Sequence, residues 1–136
     1  MAKFDPATLR YDAQGLIPCI AQEEESGAVL MMAWMNAQAV ARTLATGRVT
    51  YWSRSRQDFW VKGESSGHVQ ALVELRIDCD RDCLLAVVRQ TGPACHTNRA
   101  VCFYTAVRDG AEVELMAPEA WGALPPSPLA TPPGYF

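Results

Sequence analysis

The sequence is poor in the features that mark several large protein classes. No apolar run approaches the ~20 residues of a membrane-spanning helix; the longest, residues 28–35, is strand-sized. Histidine occurs twice, and no Cys-x-x-Cys occurs, so a self-contained structural site of four cysteines is not expected. Basic residues are outnumbered, 12 against 15, and the formal net charge is −3, the opposite of a nucleic-acid footprint. The opening residues, Met1-Ala2-Lys3-Phe4-Asp5-Pro6, lack the apolar core of a leader peptide. These absences lead to the expectation of a cytoplasmic protein with no membrane and no nucleic-acid partner. A phosphorylated small substrate stays open, because a local basic pocket suffices to bind one.

The 136 residues, 49% of them apolar, are enough for one domain with a real core. The domain is expected over residues 1–117, followed by a proline-rich tail over residues 118–136 that carries six prolines and no periodicity. Residues 1–14 read as a polar lead-in. Residues 15–22 form a strand interrupted by Pro18, residues 23–27 an acidic turn, and residues 28–35 a central strand. Asn36 can cap a helix whose apolar stripe is Ala37, Val40, Ala41 and Leu44, with Gly47 as its stop. Short strands are expected at residues 48–53, 69–77, 83–90 and 102–108, the last turned by Asp109-Gly110. With one clear helix among strands, the fold class is α+β with a mainly antiparallel sheet.

Residues 78–82 carry the most pointed chemistry. In an extended chain alternate side chains share a face. Asp78, Asp80 and Asp82 would then point one way, and Cys79 would join the apolar side of Val73, Leu75 and Ile77. Carboxylates packed together repel unless a cation lies among them. Oxygen ligands suit Mg²⁺ or Ca²⁺, and thiolates suit Zn²⁺. An EF-hand is excluded, since Cys83 and Arg89 occupy the positions of its glycine and its bidentate glutamate. A solvated turn is the plain alternative.

Five cysteines without an export signal read as free thiols or metal ligands rather than disulfides. Cys79, Cys95 and Cys102 can supply three thiolates and leave a fourth zinc position for water, the open geometry of a catalytic site. Free cysteine is also among the most buried residue types, so core filling is the competing explanation. His96 follows Cys95, and His68 ends a loop rich in glycine and serine; either suits proton handling beside a metal. Arg54, Arg56 and Lys62 suit phosphate, while Trp52 and Trp60 can stack a base or fill a core.

Taken in order, the segments Gly15-Leu16-Ile17-Pro18, LMMAWMN from Leu30, YWSRSR from Tyr51, WVKGESSGH from Trp60, DCDRD from Asp78, GPACHT from Gly92, and Cys102-Phe103-Tyr104 resemble the phosphoribosyl-AMP cyclohydrolases. These are the histidine-biosynthesis enzymes that open the adenine ring of phosphoribosyl-AMP. The resemblance covers about residues 15–105. It implies an intertwined homodimer with active sites at the subunit interface. It implies one zinc per subunit, held by Cys79 of one chain and Cys95 and Cys102 of the other, and magnesium at Asp78, Asp80 and Asp82. It implies hydrolysis between nitrogen one and carbon six by a zinc-activated water, with His96, then His68, handling the proton. Arg54, Arg56, Trp60 and Lys62 are the expected substrate contacts. The chain departs from the family at Cys83, Asn98, Ala100 and Val101. It is also too short for the pyrophosphohydrolase domain fused to some relatives, so the cyclohydrolase step alone is expected.

Two other classes compete. A base deaminase would need His-x-Glu and Pro-Cys-x-x-Cys, and neither occurs. A non-enzymatic metal-binding module would leave the basic and glycine-rich loops without a purpose.

Overall fold

The computed structural model describes residues 3–118, and the expected tail from residue 119 onward lies outside them. Four strands form the main sheet: β1 (Ile17–Glu23), β2 (Val29–Met35), β5 (Gln70–Ile77) and β6 (Leu84–Gln90), in the order β2-β1-β6-β5. β1 pairs antiparallel with β2 and β6 antiparallel with β5, but β1 and β6 run parallel at the centre. The sheet is therefore mixed, mainly antiparallel, and with one α-helix the architecture is α+β. Among the described residues, no helix is long and apolar enough to cross a membrane.

The helix α1 (Ala37–Thr46) begins and ends where its local chemistry requires. Asn36 Oδ1 accepts the Ala39 N–H at 2.8 Å, and Gly47 takes a left-handed φ of 72° that closes the last turn. The buried side is not the expected stripe. Ala39, Val40 and Thr43 face inward, while Leu44 is 43% exposed. Thr43 decides the rotation. Its hydroxyl accepts the Thr50 N–H at 2.9 Å and reaches back to the Thr50 carbonyl, so the helix turns its polar threonine onto β3 (Thr50–Ser53).

β3 pairs antiparallel with β4 (Asp58–Val61), and the core closes over Tyr51, Ile17, Leu30, Met35 and Leu84, all essentially inaccessible. Burying each such side chain contributes roughly 1.5–3 kcal/mol. On β1 burial alternates residue by residue, leaving Pro18, Ile20 and Gln22 on the other face. There they meet Trp34 and Met32 of β2 and Leu85 and Val87 of β6. That outward face is apolar and only partly covered, with Met32 43% exposed.

Four expectations need correction. The strand over residues 28–35, expected to be central, is β2 at the edge of the sheet, and β1 takes the interior place beside it. The last strand begins at Thr105, not at residue 102, and β7 (Thr105–Arg108) pairs with an unforeseen β8 (Ala111–Glu114). The polar lead-in contains a 3-10 turn at Pro6–Thr8 capped by Asp5. Residues 78–82 are a turn rather than extended chain, so strand alternation does not place their side chains.

Candidate active site

The aspartate turn joins β5 to β6. Asp78 Oδ1 accepts the N–H groups of Asp82 at 2.9 Å and Cys83 at 3.2 Å, and Arg81 sits at a left-handed φ of 63°. Arg81 in turn donates to the Thr8 hydroxyl at 2.7 Å, so the N-terminal 3-10 turn braces this corner. The result gathers one oxygen from each of Asp78, Asp80 and Asp82 within 4.8 Å, all exposed. Alternation anticipated the grouping, but the turn produces it. Desolvation, the largest single cause, raises the Asp78 pKa, and the N–H donors together with the side-chain hydrogen bond to Asp82 outweigh it to hold that carboxyl below the usual range. Asp82 goes up, through its hydrogen bond with Asp78, slight desolvation and the nearby charges of Asp78 and Asp80. Three carboxylate oxygens this close could hold a hard cation.

The thiols lie elsewhere. Residues 94–100 form a tight loop in which Asn98 N–H bonds the Cys95 carbonyl at 3.1 Å and Cys95 N–H bonds the Arg99 carbonyl at 3.2 Å. Asn98 has the left-handed φ, 66°, expected of an asparagine in a glycine's place. Cys102 N–H donates to the Leu30 carbonyl of β2 at 2.7 Å, fixing the second thiol against the sheet edge. The two thiols share a hydrogen bond, and Cys95 Sγ lies 3.0 Å from Thr97 Oγ1. Burial raises both thiols, but at Cys95 the bonds from Thr97 and Cys102 and the charge of Arg99 win, and its pKa is lowered. Cys102 is pushed up to about 12 by burial and by Cys95, with Lys62 opposing. The charge of Cys95 is thus one of the causes that hold Cys102 up.

Cys79 is exposed and does not join this pair: among the described residues the one three-ligand group within a chain is the aspartate set. Cys83 is half-buried, bonded weakly to the Leu84 carbonyl.

Lys62 is half-buried beside the thiols and donates from Nζ to the Ala94 carbonyl at 2.6 Å. Burial lowers its pKa, and the nearby Cys102 and Cys95 raise it. His96 is exposed on the Cys95 loop, while His68 is half-buried on the loop that follows Lys62.

A second feature adjoins these loops. Met32, Ala33, Trp34, Trp52, Ser53, Arg54, Ser55 and Trp60 line an open cavity of about 620 Å³. Arg54 stacks over Trp34 at 4.8 Å, and the Ser53 hydroxyl accepts the Arg56 N–H at 3.2 Å. Trp60 bridges the cavity to the thiols, since Lys62 Nζ lies 5.9 Å from its ring. Sequence reasoning passed over Trp34, whose signal was its place on the same β2 face as Met32. It also passed over Thr97, whose hydroxyl two residues after Cys95 was the signal. Trp52, weighed there as stacking platform or core, lines the cavity.

The site was then compared with known proteins. Residues 31–104 match the family described as Phosphoribosyl-AMP cyclohydrolase. A phosphoribosyl-AMP cyclohydrolase of Jannaschia sp. (strain CCS1) is 82% identical over 119 residues, covering 88% of this chain and all of the relative. That of Dinoroseobacter shibae is 82% identical over 116 residues, 85% of this chain and 98% of the relative. That of Ruegeria pomeroyi is 81% identical over 115 residues, 85% of this chain and 97% of the relative. The chain belongs to the phosphoribosyl-AMP cyclohydrolase family, hydrolases of histidine biosynthesis.

Proposed function

We propose that the chain hydrolyses the adenine ring of phosphoribosyl-AMP between nitrogen one and carbon six, in the cytoplasm, as a homodimer whose two chains share each catalytic centre. The observation that carries this reading is the Cys95–Cys102 pair: two hydrogen-bonded thiols, one shifted toward thiolate, with a cation beside them. Such a pair is a soft donor set that fits zinc. It lacks a third protein ligand from its own chain, and the exposed Cys79 of a second copy meets that need. The apolar outward face carrying Ile20, Met32, Trp34 and Leu85 offers a surface for that copy. The aspartate turn fits magnesium, whose ligands are oxygens.

Zinc, when bound, supplies Lewis acidity that brings the pKa of water to about 7. The chain's own residues do the rest. Trp34, Trp52 and Trp60 offer flat apolar walls for the purine and exclude water from it. Arg54 and Arg56, on an exposed turn braced by Ser53, reach for the phosphates, with Lys62 nearer the thiols. His96, next to Cys95, takes the proton from the attacking water and returns it to nitrogen one as that atom leaves. His68 is the second candidate for this task.

Turnover and metal content test the reading together. Purified protein given zinc and magnesium should consume phosphoribosyl-AMP with a change in ultraviolet absorbance, and Cys95→Ala should lose both bound zinc and turnover. Full activity in zinc-free protein would contradict it.

A further inference from the structure

We propose that Gln90, oriented by Gln70 and Tyr51, is a positioning residue that holds the two active-site loops, residues 62–69 and 91–99, at one separation. The inference rests on the reading above, which puts Lys62 and His68 of one loop and Cys95 and His96 of the other in the same centre.

The relay starts in the core. Tyr51, fully buried, donates its hydroxyl to Gln70 Oε1 at 2.7 Å. Gln70, fully buried as well, donates from Nε2 to Gln90 Oε1 at 2.9 Å and to Met31 Sδ at 3.4 Å. The two glutamines face each other across β5 and β6. Gln90 then donates from its own Nε2 to the His68 carbonyl at 3.1 Å and the Thr91 carbonyl at 3.0 Å. One amide group thus grips a carbonyl from each loop.

The relay has a single direction. Backbone carbonyls only accept, so Gln90 must turn its NH₂ group outward. Its Oε1 is then directed at Gln70 and takes a proton from the Gln70 NH₂. Gln70 Oε1 is left toward Tyr51, whose hydroxyl can donate. Flipping either amide sets acceptor against acceptor, and beside the fully buried Gln70 an unmet polar group is costly. The two loop carbonyls therefore dictate the orientation of the whole chain of groups, and the buried tyrosine locks it from behind.

Neighbouring contacts make the effect local to the site. Gly63 packs against the His68 peptide so closely that a Cβ on it would lie 2.3 Å from the His68 carbonyl carbon. The His68 peptide is thus held between Gly63 on one side and the Gln90 amide on the other. Thr91 N–H donates to the Val69 carbonyl at 2.9 Å, and Lys62 Nζ to that of Ala94 at 2.6 Å, so each loop is tied to the other at three points. Gln90 is the one tie whose two donors serve both loops. A catalytic group displaced by about 1 Å can lose on the order of a hundredfold in rate.

Two substitutions test the relay. Gln90→Met keeps the length of the side chain and removes its polar groups. Gln90→Glu keeps its shape, leaves one oxygen to accept from Gln70 and sets the other against the two loop carbonyls. We expect kcat for phosphoribosyl-AMP to fall about tenfold in Gln90→Met and about a hundredfold in Gln90→Glu, with KM changed by no more than about twofold. Activity should rank glutamine above methionine above glutamate, since methionine only removes the donors while glutamate adds a repelling acceptor. A merely structural contact would lower the thermal unfolding midpoint and leave kcat and KM of the folded enzyme in place. Unchanged kcat in both variants, or a loss that simply tracks unfolding, would overturn the proposal. Should Gln90→Glu fail to fold, Gln90→Met alone decides by its kcat and KM. Cys95→Ala separates the two possible failures. If it is as active as the parent enzyme, the reading of the loops is wrong; if it is inactive while the Gln90 variants match the parent enzyme, only the relay is.

Discussion

The aspartate turn and the cysteine pair each crowd ionisable groups, but in opposite surroundings. Asp78, Asp80 and Asp82 converge in open solvent at a corner between two strands. Cys95 and Cys102 meet against the edge of β2, one buried and one half-buried. In the first, backbone N–H groups favour one carboxylate and charge repulsion raises another. In the second, burial raises both thiols, but hydrogen bonds to Thr97 and Cys102 and the Arg99 charge bring Cys95 below its ordinary pKa while Cys102 stays above. Solvent tolerates three nearby carboxylates at small cost, whereas a second buried thiolate needs a cation. On the proposed reading, the exposed cluster would hold a hydrated, exchangeable metal and the buried pair a tightly held one.

Removing a thiol should be the most damaging change. Cys95→Ala is expected to lower kcat/KM by about a thousandfold or more, because the water then loses its activation; steady-state assay with zinc in excess checks this. Asp80→Asn takes one charge from the exposed cluster and should cost less, roughly ten- to a hundredfold, partly restored by raised magnesium. A magnesium titration of turnover reads that difference. Equal losses at the two clusters would dissolve the distinction between them.

Titration of the metal-free protein sharpens it further. Ultraviolet thiolate absorbance should show one thiol, Cys95, ionising below the ordinary cysteine range and two, Cys102 and the buried Cys19, only near pH 12. Cys95→Ser should abolish the first step and shift the Cys102 part of the last one down, leaving Cys19 in place, since Cys95 contributes to holding Cys102 up. Burial, the larger cause, stays, so the shift is partial.

The smallest effect belongs to the exposed turn. The folded pKa of Asp78 is depressed, so its contribution to stability is present above the unfolded value of about 3.9 and disappears as pH falls through the folded one. Asp78→Asn should therefore flatten the acid limb of stability below about pH 4 and lower neutral stability slightly, the carboxylate being exposed. Unfolding midpoints measured across that range are the check.

The sequence made these two regions legible to different degrees. The helix over residues 37–46 could be read from its ends, because Asn36 and Gly47 act locally. Its buried side could not, because Thr43 turns inward to meet Thr50, a partner set by tertiary packing. The grouping of the aspartates followed from their spacing, yet for the wrong cause: a turn with Arg81 left-handed, not an extended strand, gathers them. The parallel pairing of β1 with β6 leaves no local mark, since the two strands are joined by the rest of the sheet and the helix. The Gln70–Gln90 relay was silent for a similar reason. Polar residues at strand ends look solvated until a buried tyrosine and two loop carbonyls surround them.

The central claim is that Cys79 of one chain completes the site formed by Cys95 and Cys102 of another. Complementation tests it most directly: Cys79→Ala and Cys95→Ala proteins, each inactive alone, are unfolded together and refolded as mixed dimers. A shared centre leaves one intact site in each heterodimer, so turnover should return to about a quarter of the unsubstituted enzyme's in an equal mixture. A mixture that stays as inactive as its components would contradict the account.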